Sequence, residues 1–172
     1  MNLMQACFLI NLSILRTTGL YTRGALTKGK YYHSDNIAFG PGIIEAYRIQ
    51  EKQAKYVRMA VSDNVVNTIA ETLVKYHYIK QSRDGIWYFN WYMLELEDAA
   101  ISNTNEYDFE KVKQIAIKNK DTILKLLEKY KQSVVYEKYL WLINPFNDFC
   151  KSAKYFIKDP MLEEYIITID NF

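Results

Sequence analysis

The chain is poor in the residues that usually announce chemistry. Its 172 residues hold two cysteines, Cys7 and Cys150, and two histidines, His33 and His77. No CxxC pair and no Cys/His cluster is present, which excludes a zinc-ligand pattern and a disulfide framework. Cysteine usage of this kind fits a reducing cytoplasm. Six glycines and three prolines exclude collagen-like and low-complexity classes. Charge of either sign is in short excess: the net value is +2, too balanced to point to nucleic acid or an anionic membrane as partner. Long apolar runs are absent as well. Leu3 to Leu15 is broken by Gln5, Asn11 and Ser13, lacks a basic leader and a small-x-small cleavage site, and is shorter than a membrane span. It reads as a buried helix.

What is present is a globular composition, 49% apolar, with 15 tyrosines that suit core and rim positions. A chain of this length makes a single domain able to bury its own core. The pattern predicts a first helix over Leu3–Arg16 stopped near Gly19, then a strand over Leu20–Lys28 with Gly24 at a place of close approach. Tyr31–Asn36 forms a loop or hairpin tip. Pro41 opens a helix reaching about Ala54, with Ile43, Ala46, Tyr47 and Gln50 on one side. A strand over Tyr56–Val61 precedes a helix over Val65–Val74 capped by Ser62-Asp63. Tyr76–Gln81 and Ile86–Trp91 flank Asp84-Gly85 as a hairpin, with Trp87, Phe89 and Trp91 on one face.

Glu95–Asn105 reads as a polar loop. Two long amphipathic helices follow, the first marked by Phe109, Val112, Ala116, Ile123, Leu127 and Tyr130. Pro145 kinks or splits the second, and Tyr165–Ile169 is an edge strand or a docked tail. The fold class is α+β.

Motif chemistry is thin. There is no GxxxxGK[ST] phosphate loop, no GxGxxG and no GxSxG elbow. His33 and Asp35 fit a solvated turn, His77 a packed or rim position between two tyrosines, and Asp63 a helix cap. Cys7 has no neighbouring cation to lower its pKa and reads as a structural thiol.

One stretch says more. Tyr21-Thr22-Arg23-Gly24-Ala25-Leu26-Thr27-Lys28-Gly29-Lys30-Tyr31-Tyr32-His33 is followed by Phe39-Gly40-Pro41-Gly42-Ile43-Ile44-Glu45-Ala46-Tyr47-Arg48. This order resembles the second half of a class III nucleotidyl cyclase domain. It is most similar to the bacterial subgroup related to pyrimidine cyclases of antiphage signalling. Arg58, Asp84-Gly85 and Lys138-Tyr139-Leu140-Trp141-Leu142 fit the same subgroup, so the resemblance covers about Leu3 to Phe149.

The resemblance implies a partial ferredoxin-like sandwich, with an antiparallel-rich sheet and helices on one face. It assigns residues 1–93 to a truncated cyclase core and 106–158 to a C-terminal helical pair, within one domain over 1–172. It also implies head-to-tail pairing, as a homodimer or as a heterodimer with another cyclase-like chain.

In such domains two aspartates hold two metal ions and a later helix supplies an asparagine and an arginine. In the pattern Gly-x-x-Val-Asn-x-Ala-x-Arg, Gly40 falls at the glycine, Ile44 at the asparagine and Arg48 at the transition-state arginine. The metal aspartates lie upstream of the strand matched by Leu20–Lys28, yet no acidic residue precedes Leu20. The resemblance therefore implies that the metal-binding half is missing and that Mg or Mn binds only if a partner supplies that half.

The expected function is that of a catalytically incompetent cyclase-like protein acting by association, or a remnant. A nucleotide-binding module without turnover is the first alternative, using Arg23, Lys28, Ile44 and Arg48. An active cyclase with ligands relocated to acidic residues from Glu95 to Asp98 is the second.

Overall fold

The computed structural model describes residues 3–69, 78–101, 106–152 and 160–168. The chain divides into two compact units, Met1–Asn90 and Trp91–Phe172. The fold is α+β, with a four-stranded mixed sheet, a separate two-stranded hairpin and long C-terminal helices.

In the first unit, α1 spans Leu3–Thr18. It ends where Gly19 turns to φ 68° and donates its N–H to the Leu15 carbonyl at 2.9 Å, the left-handed stop that glycine favours. The helix is less buried than its apolar sequence predicts. Asn11 and Leu12 are buried, but Leu9 and Ile10 stay more than half exposed.

Strand β1, Gly24–Leu26, is shorter than the expected Leu20–Lys28. It pairs in parallel with β4, Met59–Val61, in the register Gly24↔Met59 and Leu26↔Val61. Parallel neighbours need a long crossover. Here it consists of the hairpin β2, Tyr32–Ser34, with β3, Ile37–Phe39, and then helix α2, Pro41–Lys52. Helix α3, Asp63–Ile69, follows β4. The hairpin of β5, Ile79–Gln81, and β6, Trp87–Phe89, completes the sheet in the order β1-β4-β6-β5. Both pairings made by β6 are antiparallel.

Ser62 does sit at the α3 cap, through its carbonyl, which accepts the N–H groups of Val65 and Val66 at 3.0 Å. His77 and the end of the helix expected to reach Val74 lie outside the described residues.

The face of α2 that meets the sheet is rotated from the expected one. Ile49 is buried and Ala46 and Gln50 are half-buried, whereas Ile43 and Tyr47 are exposed. The small residues explain this. Ile49 packs with Ala54 and Ala60, and Ala25 and Ile86 join them, so the helix settles over the small side chains of β1 and β4.

The close approach falls at Gly29 rather than Gly24. A Cβ on Gly29 would lie 2.7 Å from the Gly42 Cα, whereas one on Gly24 would meet only a methionine methyl at 3.5 Å. The Gly29-Lys30 turn thus crosses the first turn of α2 backbone to backbone, and the Gly42 N–H donates to the Lys30 carbonyl at 2.9 Å. Gly40, at φ 141°, occupies the helix N-cap, a conformation that side chains rarely adopt. Pro41 follows at the helix start, as its missing N–H allows.

The second unit opens with a helix, and a 3-10 turn occupies the start of the segment Glu95–Asn105 expected as a polar loop. Trp91, predicted on the aromatic strand, instead starts α4, Trp91–Glu95, and a 3-10 turn, Leu96–Ala99, continues it. Tyr92, Leu96 and Ala99 are buried, and this apolar spacing outweighs the acidic residues among them. Helix α5, Phe109–Tyr130, matches its predicted stripe, with Val112, Ala116, Ile123 and Leu127 buried. The Asp108 side chain caps it by accepting the Lys111 N–H at 3.2 Å.

The second long helix is split into α6, Tyr136–Leu140, and α7, Ile143–Ser152. Pro145 lies in the first turn of α7, where its lack of an N–H costs least. Tyr92 stacks on Phe149 and meets Phe146 edge-on, at centroid distances of 5.6 and 5.7 Å. The tail docks without forming a strand. Pro160–Tyr165 is 3-10, and the Asn147 side chain donates to the Ile167 carbonyl at 2.8 Å and accepts its N–H at 2.9 Å.

Gly29→Ala should lower stability by about 1–3 kcal/mol, because backbone faces the new methyl group and cannot yield as a side chain does. Gly24→Ala should cost far less. Urea denaturation midpoints of the two variants compare the sites directly.

Candidate functional site

A buried polar knot of the first unit is built on the Arg58 guanidinium, just ahead of β4. Its side chain is 1% exposed. Nη1 donates to Asp84 Oδ1 at 3.0 Å and to Ser82 Oγ at 2.8 Å. Nη2 donates to Asp84 Oδ2 at 2.6 Å and to the Gln53 carbonyl at 2.7 Å. The fork-on-fork geometry with Asp84 is the strong form of an ion pair. The Tyr56 ring also lies under the guanidinium, with its centroid at 5.3 Å.

The local sequence builds the acceptor end. The Gly85 N–H donates to the Ser82 carbonyl and Gly85 adopts φ 79°, so the hairpin loop places Asp84 at its tip facing Arg58. The Asp84 carboxyl is held down to about 2, first by its hydrogen bond from Arg58 and then, against burial, by Ser82 and the guanidinium charge.

Beside this knot lies an open cavity of about 240 Å³. Glu45 and Ile49 of α2, with Gln53 at its C-cap, form one wall, and Asp63, Asn64 and Trp87 contribute to the others. Asn64 also latches the exit of β1. Its Nδ2 donates to the Lys28 carbonyl at 3.0 Å, and its Oδ1 accepts the Lys28 N–H at 3.4 Å. The Thr27 and Ser62 hydroxyls join the same cluster. The charged side chains on the cavity wall are carboxylates, with no lysine or arginine among the lining residues. That lining suits a cation or a neutral polar group better than a bare phosphate.

The residues singled out from the sequence are not gathered there. Arg23 reaches the C-terminal end of α2, donating to the Gln50 carbonyl at 3.1 Å and pairing with Glu51 at 3.5 Å. Lys28 is held by its backbone at Asn64. Ile44 and Arg48 sit one turn apart on the exposed side of α2, and Glu45 and Ile49 of the adjacent face line the cavity.

His33 lies on exposed β2, two residues before Asp35, which takes φ 50° in the hairpin loop. Glu95, expected in a loop, is buried and accepts a hydrogen bond from Asn119 Nδ2 within the second unit. Burial raises the Cys7 thiol and pushes Cys150 up to about 12, so both are protonated at neutral pH, as structural thiols are.

The sequence reading missed the Arg58–Asp84 pair and the Asn64 latch. Arg58 and Asp84 enter the sequence reading as separate pieces with nothing to pair them, and Asn64 follows a Ser-Asp cap that masked it. Among the described residues no three His, Cys, Asp or Glu side chains gather as a metal-binding group, and no helix is long and apolar enough to cross a membrane. Comparison with family models, curated proteins and solved structures gives no match to this chain.

The depressed Asp84 carboxyl makes stability depend on acid. Its contribution is complete above the ordinary carboxylate value of 3.8 and is lost as pH falls toward about 2. Urea midpoints measured from pH 5 to 2 should therefore fall more steeply for the wild type than for Asp84→Asn. At pH 7, Asp84→Ala should cost about 2–3 kcal/mol, since it strands a buried guanidinium even though the carboxylate itself is half exposed.

Proposed function

We propose that the chain is a class III nucleotidyl cyclase-like protein that lacks catalytic competence and acts by associating with a cyclase-like chain, as homodimer or heterodimer. The observation that carries this reading is the character of α2. A hydrogen-bonding asparagine is expected at position 44 to orient a ribose. Ile44 stands there, more than half exposed, with Arg48 one turn away on the open side of the helix.

A side chain without a donor cannot orient a hydroxyl, and the loss of one oriented donor costs about 10²–10³ in rate. The ordered series of Arg23-Gly24 strand, Gly29-Lys30 turn and Gly40-Pro41 helix start supports the family assignment. An exposed apolar surface on the same segment favours association over turnover. Arg48 keeps the charge of the family's arginine, and in a mixed pair it would act only on a nucleotide held by metal ions that the other chain supplies.

Co-expression with a complete cyclase of the resembled subgroup tests this. The two chains should co-purify, and the complex should release pyrophosphate from nucleoside triphosphates with manganese at a rate different from that of the cyclase alone. The isolated chain should release none. No co-purification and an unchanged rate would overturn the reading, and turnover by the isolated chain would restore an enzyme.

A further inference from the structure

The open cavity beside the Arg58 knot has two kinds of lining. Ile49 and Val61 are buried, and with Ile86 and the half-buried Trp87 they give it an apolar part. Glu45, Gln53 and Asp63 belong to its polar part. None of these three side chains makes an ion pair or a hydrogen bond with a described residue. The neighbouring positive charge is already spent, because Arg58 is paired with Asp84.

We infer that this cavity binds a small alkylguanidinium, with the cationic head between the carboxylates and the Trp87 indole and the stem against the apolar lining. Such binding is independent of any pairing between chains, and it uses none of Arg23, Lys28 and Arg48.

The sign of charge decides first. Two carboxylates with no base among the lining residues attract a cation, although the whole chain carries +2.

The apolar lining decides between cations. A hydrated metal ion gains nothing from Ile49, Val61 or an indole, and hard divalent cations take about six or more oxygen ligands. A guanidinium is planar and weakly hydrated. It meets carboxylates through a fork of N–H donors and stacks on aromatic faces, of which tryptophan is the best. A short alkyl stem packs on Ile49 and Val61 as an arginine stem does on a protein surface.

Size decides the rest. The cavity holds about 240 Å³, just under the roughly 300–1,000 Å³ of pockets for drug-sized ligands. That is room for a head group and a short stem, and too little for a nucleotide.

Calorimetric titration of the whole chain with n-butylguanidinium tests this. The dissociation constant should be on the order of 0.1–1 mM, as a ligand of this size allows. n-Butylurea has a similar shape without the charge and should bind at least about tenfold more weakly. Glu45→Gln and Asp63→Asn, both at exposed positions, should each weaken binding about threefold, and more together, with an unchanged circular dichroism spectrum. Trp87→Leu should weaken it about threefold to tenfold, and Trp87→Phe should keep most of it.

A capped Gly-Arg-Gly peptide separates the two sources of this chemistry. Tighter binding than n-butylguanidinium would point to an arginine of another protein, and weaker binding to a free metabolite. No binding of either probe would overturn the inference. So would equal binding of n-butylurea, indifference to both carboxylate substitutions, or displacement of the probe by magnesium chloride at equal ionic strength.

Discussion

The first unit depends on the buried guanidinium of Arg58. One side chain joins the start of β4, the carbonyl that ends α2 and the loop between β5 and β6. The hairpin loop lies 26 residues from Arg58 and the strands are only three residues long, so ladder hydrogen bonds alone give each strand little hold. A charge this deep is costly unless paired. Its carboxylate partner sits at a loop tip, and its Nη groups also reach the Ser82 hydroxyl and the Gln53 carbonyl, so one side chain ties the hairpin loop to β4 and to the end of α2. The cavity beside α2 inherits its shape from the same constraint, because Gln53 both lines it and supplies a carbonyl to Arg58.

Much of this order is legible in the sequence. The Asp84-Gly85 hairpin, the Pro41 helix start, the Gly19 stop and the stripe of α5 are local signals, and local physics settles them. The differences arise where tertiary packing decides. Helix α2 turns a face with Ala46 and Ile49 to the sheet because Ala25 and Ala60 leave room there, and no periodicity within the helix encodes that. The stretch that starts at Glu95 looks polar because Glu95, Glu97 and Asp98 fall close together, yet residues 91–99 are helical or 3-10. They take that form because Tyr92, Leu96 and Ala99 share a buried side. Gly24 looked like the place of close approach, but only the crossing of two chain segments shows that Gly29 and Gly42 are the touching pair.

The candidate site was legible in type and less so in place. Arg23, Lys28 and Arg48 are basic residues on neighbouring elements, and a sequence cannot tell that one is spent on a helix end and another is held by its main chain. The carboxylate-lined cavity went unseen because Glu45 and Asp63 each have an ordinary local role, helix surface and helix start. Their nearness comes from the fold.

The crossing of Gly29 over Gly42 has a bearing on how such a surface changes over generations. The hairpin beyond it is oriented by main chain against main chain and by a single backbone hydrogen bond from Gly42 to Lys30. Its side chains carry almost none of that task. Substitutions at the hairpin surface are therefore free of the penalty that core residues impose, provided the glycines stay. A protein built this way can exchange one recognition surface for another by point changes while the scaffold underneath stays still.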